Sequence, residues 1–361
     1  MSIKGGDSVR AFIIRKNAVS DWIKHLARKN SVSFPQRAGH SGFRFKPVLE
    51  TSEIQFEHYR PTLAPPGKQL TPAREVLFKY RKNATADPML ESVLDSQARV
   101  LAGVRPCDLK AIDLMDRVNR EGFSNPHYLT RRENTVIIAH DCLQPCDAAC
   151  FCAATGSLHW RANADVFLTS LDDEILVECL SERGIALAQG DHFTLCENTE
   201  PHKKRAEALR TQPFGRQFPV PLEQLPAIIA KQWQSRVWEK HVEHCFSCGS
   251  CNMVCPTCYC FNVVDDFNLA DGDSGTRTST WDGCMLPNFS EVAGGHNFRP
   301  HPAARQRHRV KRKFEYLSQR FQEPGFCIGC GRCARQCTAQ IDIFSIVSDL
   351  VSQGENDPCV P

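Results

Sequence analysis

Two stretches, CFSCGSCNMVC at 245–255 and CIGCGRCARQC at 327–337, decide how this chain is read. Both follow the spacing C-x2-C-x2-C-x3-C. Thiolates two residues apart on a turning loop converge on one cubane, and Gly249, Gly329 and Gly331 supply the backbone freedom that such loops need. The fourth cysteine lies too far round to join the same cluster easily, and in two-cluster ferredoxins it ligates the neighbouring one. The expected ligands of a first [4Fe-4S] cluster are therefore Cys245, Cys248, Cys251 and Cys337. Those of a second are Cys327, Cys330, Cys333 and Cys255. Pro256 follows the first run as the pattern expects, whereas Thr338 replaces proline after the second. CxxC pairs also hold structural zinc, and an isolated pair can be a redox dithiol. Here each pair sits inside a longer run, and the run occurs twice.

The rest of the composition agrees with a globular metalloprotein. The chain has 361 residues, 42% hydrophobic and 24% charged, enough for two or three domains. A formal charge of +3 argues against a nucleic-acid binder. No apolar run approaches the ~20 residues of a spanning helix, so no membrane span is expected. The N-terminus lacks the apolar core of a secretory signal, and the cytoplasm is the expected location. There are 19 cysteines, which in a reducing compartment are metal-binding or catalytic more often than paired. Beyond the two runs, Cys107, Cys142, Cys146, Cys150 and Cys152 gather upstream. Cys258, Cys260 and Cys284 lie between the runs and read as packing residues beside the first cluster, with ligation as the alternative. Cys179, Cys196 and Cys359 are isolated.

The fold class expected is α+β, with a mixed α/β domain over 1–220 and a mostly helical, two-cluster ferredoxin-like domain over 221–361. RVLAGV at 99–104 and NTVIIA at 134–139 read as buried strands. Between them Leu109, Ile112, Met115 and Val118 recur at helical spacing, with Asp108 a candidate N-cap. Phe167–Leu171 and Glu174–Val177 form a candidate hairpin. TQPFGRQFPVP at 211–221 marks a boundary. Leu225, Ile229, Trp233 and Val237 then predict one amphipathic helix over 223–243, and the remainder reads as helix and loop.

GVRPCDLKAID (103–113) and HDCLQPCDAACFCAATGS (140–157) each follow an expected strand. If those strands are neighbours, their C-terminal ends bring Cys107 near Cys142, Cys150 and Cys152, enough thiolates for a third cluster, with Cys146 spare. The alternative is a set of buried cysteines acting as small hydrophobes. Asp108 and Asp113 read as capping and surface residues. Between Glu291 and Glu315 the sequence has no acid, but Arg299, Arg305, Arg307, Arg309, Lys311, Arg312 and Lys313 crowd together. Such a stretch is either a solvated face or a set of cations that offsets cluster charge and docks an acidic partner.

CFSCGSCNMVCPTCYCF, TWDGC, GGHNFRPHPAARQRHRVKRKFEY and CIGCGRCARQC together resemble the iron–sulfur subunits of cytosolic multisubunit oxidoreductases. These are the beta subunit of NAD(P)-linked nickel–iron hydrogenases (sulfhydrogenases) and the A subunit of anaerobic sulfite reductase. GVRPCDLKAID and the CFC segment resemble the same family's N-terminal domain. The resemblance implies a non-catalytic electron-transfer subunit in a hetero-oligomer, between a flavoprotein handling NAD(P)H and a separate catalytic subunit. It also implies Cys107, Cys142, Cys150 and Cys152 as ligands of a third [4Fe-4S] cluster. Two other readings are weighed against it, a zinc-organised assembly or regulatory protein and a self-contained sulfur or polysulfide reductase. No Walker loop, G-x-G-x-x-G or nucleophile–base pair is present.

Overall fold

The computed structural model describes residues 10–356 apart from 41, 57, 58, 83–86 and 88; Cys359 lies outside the described residues. Ten strands build one mixed sheet and part of a second. They are β1 (Arg10–Arg15), β2 (Ser31–Ala38), β3 (Gly42–Pro47), β4 (Arg74–Arg81), β5 (Met89–Ser92), β6 (Arg99–Val104), β7 (Thr135–His140), β8 (Val166–Ser170), β9 (Glu174–Cys179) and β10 (Thr194–Leu195). The large sheet runs β10-β1-β9-β8-β7-β6-β2-β3. Its centre, β2, β6, β7 and β8, is parallel, and β8 turns back antiparallel into β9 with Leu168 opposite Val177. Parallel strands covered on both faces read as continuous apolar runs, and these do. Val100, Ile138 and Leu168 pack on one face with Trp22 and Ile23 of the helix Val19–Ala27. Leu101, Ile137 and Phe167 pack on the other with Leu109, Ile112 and Met115 of the helix Pro106–Arg120.

Three local expectations are corrected. The N-cap of Pro106–Arg120 is Arg105, in extended backbone, with Pro106 in the first turn. Asp108 is instead buried inside that turn, where Arg332 donates two hydrogen bonds to its carboxylate, at 2.7 and 2.8 Å. Asp113 is not a free surface acid either, since its carboxylate accepts a hydrogen bond from Asn163 at 2.8 Å.

The single helix over 223–243 is in fact two, Leu225–Lys231 and Val237–Lys240. The carbonyls at the first break are taken by other partners: Trp238 Nε1 donates to Gln232 O at 2.7 Å and Lys311 Nζ to Ile229 O at 2.9 Å. The break lets Trp238, rather than Trp233, enter the core. Trp238 is fully buried, while Trp233 lies outside with Arg307 over its ring at 4.3 Å.

The segment after the first cysteine run is not only helix and loop. It forms a hairpin, β11 (Phe261–Phe267) and β12 (Ser274–Trp281), which joins β4 and β5 in a second sheet of order β11-β12-β4-β5. The remaining helices, among them Pro302–Lys311 and Ile343–Asn356, close a core of Leu225, Ile229, Trp238, Val310, Phe314, Ile346 and Leu350. Phe151, from the upstream cysteine segment, is buried in this same core.

Candidate iron–sulfur centres

Each cysteine run is a short loop that contains one helical turn, Ser250–Met253 in the first and Arg332–Arg335 in the second. Gly249 and Gly331 precede those turns at φ of 71° and 70°. Gly329, at φ 66°, has a further reason to be glycine, because a Cβ there would stand 2.4 Å from Phe151 O. That closeness fastens the second run to the upstream segment, where Phe151 N donates to Gly329 O at 2.7 Å.

Cys245, Cys248, Cys251 and Cys337 line one pocket, together with Ser247, Arg309 and Thr338. Cys337 thus stands with the first run, although 337 belongs to the second by sequence. Cys255 interacts electrostatically with Cys327, as do Cys333 and Cys330. Upstream, β6 and β7 are parallel neighbours, and their ends bring Cys107 close to Cys142, Cys152 and Cys146. Cys146 stands beside Cys142. Cys150 stands beside Cys152, whose thiol lowers its pKa. Cys179 is buried in the hydrophobic core of the sheet, and Cys196 lies beside His202 at 3.9 Å.

Burial pushes the Cys251 thiol up to about 12 and the Cys330 thiol up to about 11, so thiolates here require compensating positive charge. The structure supplies it. Arg309 is 3% exposed and Lys313 4% exposed. Lys313 Nζ donates only to Thr257, to its carbonyl at 2.7 Å and its hydroxyl at 2.6 Å, and Arg309 Nε has no hydrogen-bond partner. Neither has a carboxylate partner among the described residues. Arg105 is likewise buried beside Cys142, Cys146 and Cys107, bonded to His140 Nδ1 at 2.9 Å and Asp141 O at 2.8 Å. Buried cations without counter-ions are costly unless an anion shares their site. Thiolate-ligated clusters are such anions, so the residues fit the group.

In the basic stretch Arg305, Arg309, Lys311 and Lys313 are buried, while Arg299, Arg307 and Arg312 are partly exposed, so the buried four are not a solvated face. Among the described residues no three His, Cys, Asp or Glu side chains stand close enough to hold a single metal ion. Sequence reasoning missed Arg332 and Asn252, both buried. Nothing in local sequence marks either as interior, because Arg332 finds its counter-ion 224 positions away.

Fold, runs and buried cations define an iron–sulfur protein, and residues 244–341 match the 4Fe-4S dicluster domain family. The chain is an iron–sulfur electron-transfer subunit holding [4Fe-4S] clusters. Over 316 residues, 86% of this chain and 89% of the relative, it is 33% identical to sulfhydrogenase 2 subunit beta of Pyrococcus furiosus, and it belongs to that family of hydrogenase beta subunits. No solved structure matches it. No helix among the described residues is long and apolar enough to cross a membrane.

Proposed function

We propose that the chain relays electrons through three [4Fe-4S] clusters, between a flavoprotein subunit that handles NAD(P)H and a separate catalytic subunit of hydrogenase or sulfur-compound reductase type. The ligands are Cys245, Cys248, Cys251 and Cys337; Cys327, Cys330, Cys333 and Cys255; and Cys107, Cys142, Cys150 and Cys152. Residues 1–220 carry the last set and 221–361 the first two, in a cytoplasmic hetero-oligomer. The observation that carries the reading is the interlocking of the runs, with Cys337 in the pocket of Cys245, Cys248 and Cys251 over buried Arg309. Cys248 is exposed and Phe246 is 72% exposed, so this set is the one open to a partner. Anaerobic purification with bound partners tests the reading. NAD(P)H should bleach the cluster absorbance only while the flavoprotein is present. Bleaching by NAD(P)H of the isolated chain would contradict it.

A second reading, that the chain itself reduces a small sulfur compound, draws on one feature. A cavity of about 540 Å³ opens beside the upstream set, lined by Tyr59, Arg105, His140, Cys142, Cys146 and Ser170. It lies at the carboxyl ends of β6, β7 and β8, where α/β sheets place ligands. Turnover of sulfite or polysulfide by the isolated, reduced chain would favour this reading over the relay.

A further inference from the structure

Among the cysteines outside those sets, the fold brings three together. Cys258 and Cys260 lie on the loop between the first run and β11. Cys284 lies just past the end of β12. Because Phe261 pairs with Trp281, and Asp282 N donates to Cys260 O at 3.1 Å, closing the hairpin sets Cys260 beside Cys284. The two thiols interact. Asn252, 1% exposed, ties in the third: its amide donates to Cys258 Sγ at 3.6 Å and Cys284 Sγ at 3.5 Å. Its own carbonyl oxygen accepts from Met285 N at 2.9 Å, which fixes which way the amide points. Gly283 permits this approach, since a Cβ there would stand 2.8 Å from Asn252 Oδ1.

The charge around these sulfurs is also unbalanced. Lys68 Nζ donates to Cys258 O at 2.9 Å and lies 4.5 Å over the Trp281 ring. The charges that act on it are the thiols of Cys258, Cys255 and Cys260 and the ammonium of Lys313, and it forms no ion pair with a carboxylate among the described residues. Arg309 faces Cys258 as well as Cys251, Cys333 and Cys255. A packing role for the three cysteines needs neither a shared amide donor nor a half-buried lysine without a carboxylate partner. An anionic metal centre needs both, since amide donors to sulfur and nearby cations are the means by which proteins hold and tune thiolate-ligated iron.

We propose that Cys258, Cys260 and Cys284 ligate a further iron–sulfur cluster on three thiolates, with Asn252 donating to two of its ligand sulfurs and Lys68 balancing its charge. The cluster abuts the set containing Cys255, whose thiol is in hydrogen-bond contact with Cys258. The inference rests on the electron-carrier reading only for its iron–sulfur chemistry.

The test is iron and acid-labile sulfide per full chain, purified anaerobically, for the wild type and for Cys258→Ala/Cys260→Ala/Cys284→Ala. The variant should lose about three to four irons with the same number of sulfides, and keep the electron paramagnetic resonance signals of the other clusters. Alkylation of the wild type gives an answer that needs no variant to fold. All three thiols should be protected in the iron-loaded protein and modified after iron is chelated. Unchanged iron in the variant, or modification of these thiols in the loaded protein, overturns the proposal alone. A wild type without iron overturns the electron-carrier reading instead.

Discussion

At the residue scale, the cysteine assignments depend on where single side chains stand rather than on their order. Cys337 lines the pocket of the first run, so Cys337→Ser should alter the same cluster as Cys245→Ser. The two variants should give matching electron paramagnetic resonance spectra, distinct from that of Cys327→Ser; a match to Cys327→Ser would mean that each run closes its own cluster. Arg332 and Asp108 form a bidentate pair with side chains 3% and 4% exposed. Removing one partner of a buried pair typically costs about 3–5 kcal/mol. Arg332→Ala should therefore lower the anaerobic unfolding free energy by that order, and Arg332→Ala with Asp108→Ala should cost less than the two single changes added together. Purely additive losses would show that the pair does not interact.

At the scale of elements, the contact between the second run and the Cys150–Cys152 segment depends on Gly329. A methyl group there meets the Phe151 carbonyl, so Gly329→Ala should reduce iron retention. Gly272 is the control: it also has positive φ, 67°, but has open space around it, and its replacement by alanine should keep the full iron content. The helix Pro302–Lys311 carries His308, which burial first, then Arg299 and Arg312, lower to about 4. The unfolded chain binds that proton near pH 6.5. Between pH ~6.5 and ~4 the unfolded state therefore holds more protons, and stability falls as the pH is lowered through that window. His308→Gln should flatten the fall in thermal midpoint between pH 7 and pH 5. An unchanged slope would remove His308 from the account.

At the scale of the whole molecule, what was legible in the sequence follows from how local the cause is. RVLAGV and NTVIIA are strands with almost the expected bounds because burial on both sheet faces writes itself into consecutive residues. The β8–β9 hairpin was readable from Asp172-Asp173 between two apolar runs. The two cysteine runs of the dicluster domain were readable because their spacing is a short-range constraint. The β11–β12 hairpin was not read, although Thr276, Thr278 and Thr280 alternate as a strand would and Asp271-Gly272 marks its turn. Its pairing partner is β4, some two hundred residues earlier, and the dense cysteines beside it dominate the local pattern. The break after Lys231 was hidden for a related reason: Trp238 and Lys311 satisfy its free carbonyls, and Lys311 is distant in sequence. The basic stretch was legible as charge but not as buried charge, since only the tertiary fold shows that Arg309 and Lys313 face sulfur.

The most direct test of the central claim, that the buried thiolates and cations exist to hold iron–sulfur clusters for electron transfer, is elemental analysis of the full chain. The protein should be purified anaerobically and assayed for iron, acid-labile sulfide and zinc together. The account predicts at least about eight irons per chain with matching sulfide and visible absorbance that dithionite bleaches. Stoichiometric zinc, with no sulfide and no bleachable absorbance, would contradict it.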